Sequence, residues 1–386
     1  MKILVICQYY YPEPFRITDI CEELVKRGHE VTVVTGTPNY PMGEIYPGYE
    51  AGKRADEVIN GVTVHRCSIV GRKTGILHRF MNYYDYALKS TKYIDSLDNR
   101  YDVVFVNQLS PVMMANAGIK YKKKFGKRLV LYCLDLWPES LVAGGIKRNS
   151  IIYRIYHAVS KRIYQQADEL LVTSKSFSEY FEKEFGIKNT QYLPQYAEEL
   201  FSPEQCKKEP DEYLDLMFAG NIGKAQSIEI IIEAARLTQN EKKIRWHIVG
   251  DGSELEALKM SAKGLDSVFF YGRKPLEEMP TYYSMADAML VTLANDPILS
   301  LTLPGKVQTY MAAGKAIIAA AKGETAKIIA EAECGVCCKI GDAQELAEKI
   351  KYIEKFELSE MEKNSRAYFE KNFDKQMLMD SMKKYL

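Results

Sequence analysis

The sequence predicts an α/β protein with two Rossmann-like domains that face each other across a cleft. Three observations predict this fold class. Short apolar segments alternate with longer amphipathic segments, which is typical of parallel sheets with helical crossovers. The alternation stops at a proline-rich, charged segment, residues 194–212, and then starts again. The length of 386 residues also fits two domains of about 150 residues each.

The first half of the chain, residues 1–193, is the predicted N-terminal domain. Lys2–Ile6 is an apolar run that is too short for a helix, so we predict a strand. Arg16–Arg27 has apolar residues at spacings of three and four and stops at Gly28, which predicts a helix with one buried face. The remaining predicted strands are Glu30–Thr35, Val62–Cys67, Val103–Val106, Leu129–Cys133 and Glu169–Thr173.

The second half, residues 213–374, is the predicted C-terminal domain, and residues 194–212 are the predicted linker. Its predicted strands are Leu214–Ala219, Ile244–Val249, Ser267–Tyr271, Ala288–Thr292, Ala316–Ala320 and Val336–Lys339. Its predicted helices are Ser227–Thr238, Glu254–Ala262, Leu276–Met285, Gly305–Ala313, Glu324–Glu333 and Ala343–Phe356. A last helix, residues 375–386, either packs back on the first domain or is a plain terminal helix.

The composition argues against several classes of protein. The 52 basic and 51 acidic residues give a net charge of +1, whereas duplex-coating nucleic-acid binders are usually strongly basic. No apolar run reaches the length of about 18 residues of a membrane-spanning helix. The eight cysteines are scattered, and the group at 334, 337 and 338 lacks a second pair. This favours buried thiols over a metal site and predicts a cytoplasmic protein without nucleic-acid partners.

Two glycine-rich turns follow predicted strands of the second half. In FAGNIGKAQ, residues 218–226, Gly220 and Gly223 allow the backbone to approach an anion, and the next helix adds amide donors. In VGDG, residues 249–252, backbone groups are candidates for contact with a nucleotide base or sugar. The alternative for both segments is a plain turn, with Asp251 as a helix cap in the second.

Two further segments place charged residues where a parallel sheet would bind a ligand. In LPGKVQTYMAAGK, residues 303–315, Pro304 predicts a helix start and Lys306 lies near it. A cation there opposes the helix dipole, which indicates a shared anionic ligand, with a solvated lysine as the alternative. In CLDLWPES, residues 133–140, Asp135 and Glu139 follow a strand; a structural Trp–Pro corner is the alternative.

Cations also cluster in two segments of the first half. Residues 120–128, KYKKKFGKR, contain six cations and no acid. Residues 76–93 combine apolar and aromatic side chains with His78, Arg79, Lys89 and Lys92. Both segments are candidates for contact with an anionic membrane surface. A solvated helix end is the alternative for the first segment, and core packing is the alternative for the second.

Together these segments resemble the nucleotide-sugar glycosyltransferases of the GT-B fold, in the retaining family 4 and its WbuB-like branch of colanic-acid and lipopolysaccharide sugar transferases. The resemblance extends over nearly the whole chain. The matching segments are YYPEP (10–14), RGHEV (27–31), TPNYP (37–41), DLWPE (135–139), GNIGKAQ (220–226), GDG (250–252), PGK (304–306) and MAAGK (311–315).

The resemblance implies a donor such as a UDP-sugar on the second domain, an acceptor on the first, and retention of configuration without a bound metal or cofactor. Backbone amides, a helix N-terminus and cations would then stabilise the leaving diphosphate. It implies catalytic roles for Asp135, Lys306 and Arg273, with Asp135 positioning the acceptor or accepting its proton. The implied donor-binding residues are Gly220, Asn221, Gly223, Lys224, Gln226, Gly250, Asp251, Pro304, Gly305, Lys306 and Glu324. The implied acceptor-side residues are Tyr11, Arg16, Asn39, Tyr40, Asp135 and Glu139.

The chain departs from the family pattern at two places. Asn221 and Gln226 stand where many members carry an arginine and a lysine. Leu301 and Thr309 stand where many members carry two glutamates. The contact to the donor ribose is therefore unassigned, and Glu324 is a candidate substitute.

The predicted function is a retaining glycosyltransferase of capsule, exopolysaccharide or lipopolysaccharide synthesis. The acceptor would be a glycan or a lipid-diphosphate-linked sugar, and the enzyme would be cytoplasmic or peripheral on the inner face of the cell membrane. One alternative is a nucleotide-sugar epimerase of the same fold, which needs no acceptor. Another is a catalytically silent nucleotide-sugar-binding subunit, which the missing charged residues suggest.

Overall fold

The computed structural model describes residues 1–386 except Thr74, Lys242 and Glu354. The chain divides into two compact units. Unit 1 comprises Met1–Thr173, Phe177–Leu193 and Met379–Leu386. Unit 2 comprises Ser174–Ser176 and Pro194–Leu378. Each unit contains one sheet of mainly parallel strands connected by helices, so the predicted α/β fold class is confirmed.

Unit 1 is built on an eight-stranded sheet. Its strands are β1 (Lys2–Ile6), β2 (Glu30–Gly36), β3 (Asp56–Ile59), β4 (Val62–Cys67), β5 (Val103–Gln108), β6 (Arg128–Cys133), β7 (Glu169–Val172) and β8 (Thr190–Tyr192). Its helices are α1 (Ile17–Lys26), α2 (Ile76–Tyr93), α3 (Asn116–Phe125), α4 (Glu139–Ala143), α5 (Ile151–Tyr164) and α6 (Lys175–Tyr180), the last of which begins in unit 2. The strand order is β3-β4-β2-β1-β5-β6-β7-β8, and only β3 runs antiparallel to its neighbour.

Burial explains which strands of unit 1 the sequence reveals. All residues of β5 and all but the first of β1 are buried, as expected for central strands of a parallel sheet covered on both faces. These continuous apolar runs were predictable. Strands β3 and β8, which lie at the two edges of the sheet, were not predicted from the sequence. Edge strands need few apolar residues; none of the seven residues in these two strands is fully buried.

Unit 2 is built on a six-stranded parallel sheet. Its strands are β9 (Leu214–Ala219), β10 (Ile244–Val249), β11 (Val268–Gly272), β12 (Ala288–Thr292), β13 (Ala316–Ala320) and β14 (Gly335–Cys338). Its helices are α7 (Glu229–Leu237), α8 (Leu255–Ser261), α9 (Met279–Tyr283), α10 (Gly305–Ala312), α11 (Glu324–Ala332), α12 (Ala343–Tyr352), α13 (Lys355–Asn372) and α14 (Lys375–Tyr385). The strand order is β11-β10-β9-β12-β13-β14.

The end of the chain differs in detail from the prediction. The helix predicted over Ala343–Phe356 ends at Tyr352, while Glu354 lies outside the described residues. A separate helix, α13, follows. From Met379 onward α14 belongs to unit 1, where Asp380 forms an ion pair with Arg27, the residue that follows α1.

All eight cysteines are free, and all are buried except Cys337, which is partly buried. Burial raises the pKa of Cys7, Cys334 and Cys338 to about 12. No group of three or more metal-ligating side chains occurs among the described residues. The thiols therefore act as small apolar groups of the two cores.

A buried ionic network joins the segment predicted as a linker to the sheet of unit 2. The carboxylate of Asp215, 1% exposed on β9, contacts His247 at 2.7 Å, Arg245 at 2.5 Å and Lys208 at 2.6 Å. Lys208 belongs to residues 194–212 and also pairs with Asp287 at 2.5 Å. Burial alone would raise the pKa of Asp215, but the hydrogen bonds from His247, Arg245 and Lys208 outweigh it and lower the pKa well below its usual range.

We expect Asp215→Asn to reduce the free energy of unfolding by about 3 kcal/mol at neutral pH, because Lys208 and Arg245 lose the buried carboxylate that both contact and keep only the more exposed Asp287 and Asp211 as acidic partners. The lowered pKa means that the carboxylate stabilises the fold above its unfolded pKa of about 4 and loses this effect as the pH falls. The difference between variant and wild type should therefore shrink in acid. Urea unfolding at several pH values measures it, with the exposed Asp211→Asn as the control that should show a smaller effect. A difference that is independent of pH would contradict this account.

Candidate active site

In unit 2, the sheet reverses its winding direction between β9 and β12, and we call the gap between the carboxyl ends of these two strands the β9–β12 crevice. Open parallel sheets bind ligands at such points, at the carboxyl ends of the strands. β9 pairs with β10 along its whole length, from Leu214 to Ala219. It pairs with β12 only through Leu216 and Met217. The two strands therefore separate toward their carboxyl ends, and the backbone of Ala219 has no partner on β12.

The hydroxyl of Tyr310, on α10, occupies the position that a strand partner would have. It donates to the carbonyl of Ala219 at 3.0 Å and accepts from the amide of Ala219 at 3.1 Å. The side chain is fully buried, and burial raises its pKa, so the hydroxyl keeps its proton. Tyr310 thus satisfies both backbone groups and fixes α10 beside the end of β9.

One helical turn before Tyr310, Lys306 projects toward the same strand end. Its ammonium donates to Oε1 of Gln226 at 2.6 Å and lies 3.9 Å from the centroid of the Phe218 ring. Both partners are uncharged, and loss of solvation lowers the pKa of Lys306 to about 7. The site therefore contains a desolvated cation without a carboxylate, which is an arrangement suited to an anionic ligand.

The two glycine-rich turns form one platform beside Lys306. The amide of Gly220 donates to the backbone carbonyl of Val249 at 2.9 Å, and the amide of Ile222 donates to the backbone carbonyl of Asp251 at 2.9 Å. Gly220 and Gly250 have φ angles of +146° and +143°, which favour glycine. A Cβ on Gly250 would lie 1.8 Å from the carbonyl oxygen of Gly220. The turns pack so closely that only glycine fits at position 250.

The start of α10 adds amide donors to this platform. Pro304 precedes the helix, and its carbonyl accepts from the amide of Val307 at 2.9 Å. Within the described part of the chain, the amides of Gly305 and Lys306 have no hydrogen-bond acceptor, and Gly305 is exposed. Free amides and the positive end of the helix dipole are the usual means by which a helix binds an anion.

The other residues predicted to bind the donor lie partly on the two glycine-rich turns and partly farther along the sheet. Asn221, Lys224 and Asp251 are exposed on the two turns. Arg273 is exposed after β11, which is the edge strand and is separated from β9 by β10. No polar contact of the described residues joins Arg273 to Lys306. The structure thus groups Gly220, Gln226 and Lys306, and it leaves Arg273 apart.

Glu324 begins α11 and is 1% exposed. Its Oε1 accepts from the amide of Lys175 at 2.8 Å, and its Oε2 accepts from the amide of Ser176 at 3.1 Å and its hydroxyl at 2.6 Å. These bonds hold Ser174–Ser176 in unit 2. A carboxylate accepts about four hydrogen bonds, so these contacts within unit 2 use most of its capacity. The contact of Glu324 with the ribose remains a prediction.

In unit 1, Asp135 lies at the carboxyl end of β6. Its Oδ2 accepts from the amide of Ser110 at 3.1 Å, and Ser110 follows the neighbouring strand β5. Burial raises the pKa of Asp135, although the hydrogen bonds from Ser110 oppose this shift. The indole of Trp137 donates to the hydroxyl of Ser110 at 2.7 Å. A carboxylate with a raised pKa, held at a strand end, is suited to accept a proton.

A buried glutamate shapes the loops beside this strand end. Oε1 of Glu13 accepts from the amides of Asn39 at 2.8 Å and Tyr40 at 2.7 Å, so it joins the loop after β1 to the loop after β2. Burial raises the pKa of Glu13 to about 7, against the opposing effect of these hydrogen bonds. The ring of Tyr40 packs on Phe15 at a centroid distance of 5.0 Å. Glu13 thereby positions Tyr40.

The remaining acceptor-side predictions fall into two groups. Tyr11 is 48% exposed, and Arg16 is partly buried just before α1. Asn39 and Glu139 are fully buried. The side-chain amide of Asn39 donates to the carbonyl of Thr37, and the carboxylate of Glu139 accepts from two tyrosine hydroxyls and an arginine (Tyr153, Tyr180 and Arg148). Asn39 and Glu139 therefore lie below the surface of unit 1, where they position neighbouring groups and are not exposed to an acceptor.

Sequence reasoning missed several residues of these sites. Tyr310 has the spacing of a core residue on its helix, so no signal distinguishes its hydroxyl. Phe218 is one apolar residue among several in β9. Glu13 had a signal, because a carboxylate between two prolines at a strand end is unusual. Arg72, whose guanidinium lies 5.5 Å from the centroid of the Tyr40 ring, follows no recognisable motif.

Two strand-end sites, one with a desolvated cation and free amides and one with a carboxylate, are consistent with group transfer from an anionic donor. Residues 15–194 match the family described as "Glycosyl transferase 4-like domain", and residues 203–376 match "Glycosyl transferases group 1". The chain belongs to the glycosyltransferases of the GT-B fold, and the resemblance seen in the sequence is confirmed.

Named relatives agree with this assignment. The chain is 28% identical over 304 residues to the probable glycosyltransferase WbjE of Pseudomonas aeruginosa, covering 74% of each protein. It is 25% identical over 347 residues to the putative colanic acid biosynthesis glycosyl transferase WcaI of Escherichia coli K12, covering 84% of each. The structure of Anabaena HepE in complex with UDP superposes with a TM-score of 0.72 at 16% identity, covering 100% of this chain and 99% of that one.

We expect Tyr310→Phe to destabilise the protein by about 1–3 kcal/mol, because the amide and carbonyl of Ala219 lose their shared partner. The variant should also bind a nucleoside diphosphate more weakly, since α10 is no longer fixed beside β9. Urea unfolding and nucleotide titration measure the two effects. Tyr283→Phe is the matched control, because its ring packs 5.6 Å from that of Tyr310 and its hydroxyl has no hydrogen-bond partner among the described residues. Equal effects of the two substitutions would contradict the role given to the Tyr310 hydroxyl.

Proposed function

We propose that the chain is a retaining glycosyltransferase that transfers a sugar from a nucleoside-diphosphate donor. Among such donors, a UDP-sugar is our first choice. The acceptor is a glycan or a lipid-diphosphate-linked sugar, and the pathway is the synthesis of a surface polysaccharide. The observation that carries the proposal is Lys306, a desolvated ammonium beside free helix amides at the β9–β12 crevice.

The donor site supports the departure of a diphosphate. Negative charge grows on the leaving group as the sugar bond breaks, and fixed cations and amide donors stabilise that charge best in a site with little water. Lys306 supplies the cation, while Gly305 and the glycine turns allow backbone contact with the phosphates. The arrangement requires no ion pair to break before the donor binds, because the partners of Lys306 are Gln226 and Phe218.

The acceptor site supports activation of a hydroxyl group. Asp135 is held by the amide of Ser110, and burial raises its pKa. In this proposal its carboxylate orients the acceptor hydroxyl and receives its proton during transfer. Glu13 and Tyr40 shape the loops on the same side of unit 1.

The named relatives support the choice of donor and pathway. HepE was solved with UDP, and with UDP-glucose in a further structure, which favours a uridine donor for this chain. WcaI is named for colanic acid biosynthesis, which favours a surface polysaccharide as the product.

A panel of nucleotide sugars tests the proposal, because a ligand that binds only the folded state raises the melting temperature. Radiolabelled transfer to membrane extracts and the anomeric configuration of the product complete the test. Transfer with retention supports the proposal. Conversion of the sugar without an acceptor would identify an epimerase, binding without turnover would identify a silent subunit, and an inverted product would exclude a retaining enzyme.

We expect diphosphate affinity to depend on pH through Lys306. With a pKa of about 7, Lys306 is largely neutral above that pH. Binding of an anion therefore requires the lysine to take up a proton from the solution. Between about pH 7 and about pH 9 the affinity should fall by up to about tenfold per pH unit. Isothermal calorimetry in buffers of different ionisation enthalpy should detect the proton uptake.

Two substitutions isolate this effect. Lys306→Arg should bind the diphosphate with little pH dependence, because arginine stays charged. Lys306→Ala should weaken binding by about 1–3 kcal/mol, as for loss of a charged hydrogen bond. Lys259→Ala, which removes an exposed lysine of α8 paired with Glu256, should change neither property. A wild-type affinity that is flat over this pH range would remove Lys306 from the phosphate site.

We expect Asp135→Asn to lower the transfer rate by about 10²–10⁴-fold, the usual contribution of a general base. Donor binding should be unchanged, since Asp135 belongs to the acceptor site. Initial rates and donor-induced thermal shifts, measured on the same preparations, separate the two effects. Loss of donor binding together with the rate would show that Asp135 supports the fold and not the reaction.

A further inference from the structure

Helix α2 of unit 1 exposes one apolar stripe. Leu77, Met81, Tyr84 and Leu88 follow one another at spacings of four, three and four residues, so they share a face of the helix. Their exposed fractions are 71%, 50%, 39% and 69%. Other residues of α2, such as Tyr83 and Tyr86, are buried in the unit. The apolar stripe is thus additional to the residues that anchor the helix.

Helix α5 lies beside α2 and extends this stripe. Ile151, Ile152 and Ile155 are 75%, 52% and 57% exposed. The hydroxyls of Tyr84 on α2 and Tyr156 on α5 are in contact, so the two helices are neighbours. We call the combined patch the α2–α5 surface, and it consists of Leu77, Met81, Tyr84, Leu88, Ile151, Ile152 and Ile155.

Positive charge surrounds the α2–α5 surface. Five exposed cations lie on or next to the two helices, and none forms an ion pair among the described residues: Lys92, Lys147, Arg154, Lys161 and Arg162. Residues 145–162 contain no acid. The single acid of α2, Asp85, pairs with Lys89 at 2.9 Å and accepts from the amide of Val70. This excess is local, since the whole chain has a net charge of +1.

The other cationic segment, residues 120–128, uses most of its charges within unit 1. Lys120 pairs with Asp95 at 2.7 Å, and Lys122 pairs with Asp168 at 2.6 Å. Lys124 donates to three backbone carbonyls at the end of α2 and beyond it (Ile94, Asp95 and Leu97). Of the two segments singled out in the sequence, only the one on α2 therefore offers unpaired charge together with exposed apolar side chains.

We propose that the α2–α5 surface binds an anionic lipid bilayer. Exposed leucine and isoleucine side chains enter the boundary between headgroups and acyl chains, and the surrounding cations contact the headgroup phosphates. The charge pattern favours a bilayer because a uniformly cationic rim complements a uniformly anionic surface. The use of this binding to the enzyme rests on the proposed function, because a lipid-linked acceptor would be presented at that bilayer. Binding to the bilayer does not itself depend on the proposed function.

Flotation of the full-length protein with vesicles tests this inference. We expect binding to phosphatidylcholine vesicles that contain phosphatidylglycerol, little binding to phosphatidylcholine alone, and release at high salt. The combined variant Leu77→Gln, Leu88→Gln, Ile151→Gln and Ile155→Gln should bind at least about tenfold more weakly, because it removes the apolar contacts. Lys92→Gln with Arg154→Gln should weaken binding roughly fivefold for each charge removed.

A matched control removes exposed apolar side chains elsewhere. Leu237→Gln with Met260→Gln changes residues of unit 2 that are 55% and 63% exposed, and it should bind vesicles like the wild type. Equal loss of binding in this control would overturn the inference. So would a wild type that ignores anionic vesicles, or an apolar variant that only converts a dimer to a monomer in sedimentation. UDP-induced thermal shifts on every variant report the donor site separately, so a failure of the proposed function is distinguishable from a failure of this inference.

Discussion

The separation of β9 from β12 is the constraint on which the proposed donor site of unit 2 depends. Two strands that stayed paired to their ends would close the crevice where the ligand must enter. Tyr310 makes the separation stable, because one hydroxyl satisfies both backbone groups of Ala219. The same helix carries Lys306 one turn earlier, so the residue that supports the open crevice also sets the position of the cation in it.

The cost of this design is the desolvation of Lys306. An ammonium held by Gln226 and an aromatic ring is less stable than one in water, and its lowered pKa reflects that difference. A carboxylate partner would offset the loss of solvation, but it would also compete with a diphosphate for the ammonium of Lys306. Leu301 and Thr309 stand where many members of the family carry glutamates. Within the described residues, no acid contacts Lys306. The acceptor side shows the reverse arrangement, with a carboxylate whose pKa burial raises.

The sequence predicts strands well where their residues are fully buried. It does not reveal a residue whose role depends on a single side-chain hydrogen bond. Interior strands such as β1 and β13 were predictable, because continuous apolar runs of this length are typical of buried strands in an α/β protein. The edge strands β3 and β8 left no such pattern. Gly220 and Lys306 were recognisable from local motifs, and the structure groups them. The hydroxyl of Tyr310 was not recognisable, because its partner is backbone.

The buried thiols described above divide evenly between the units. Four cysteines (Cys7, Cys21, Cys67 and Cys133) lie in unit 1, and four (Cys206, Cys334, Cys337 and Cys338) lie in unit 2. Because the thiolate is the reactive form, protected cysteines with raised pKa values react slowly with alkylating reagents until the surrounding core opens. The chain therefore carries its own set of internal probes, and mass spectrometry of alkylated peptides can follow the opening of each half separately without any added label.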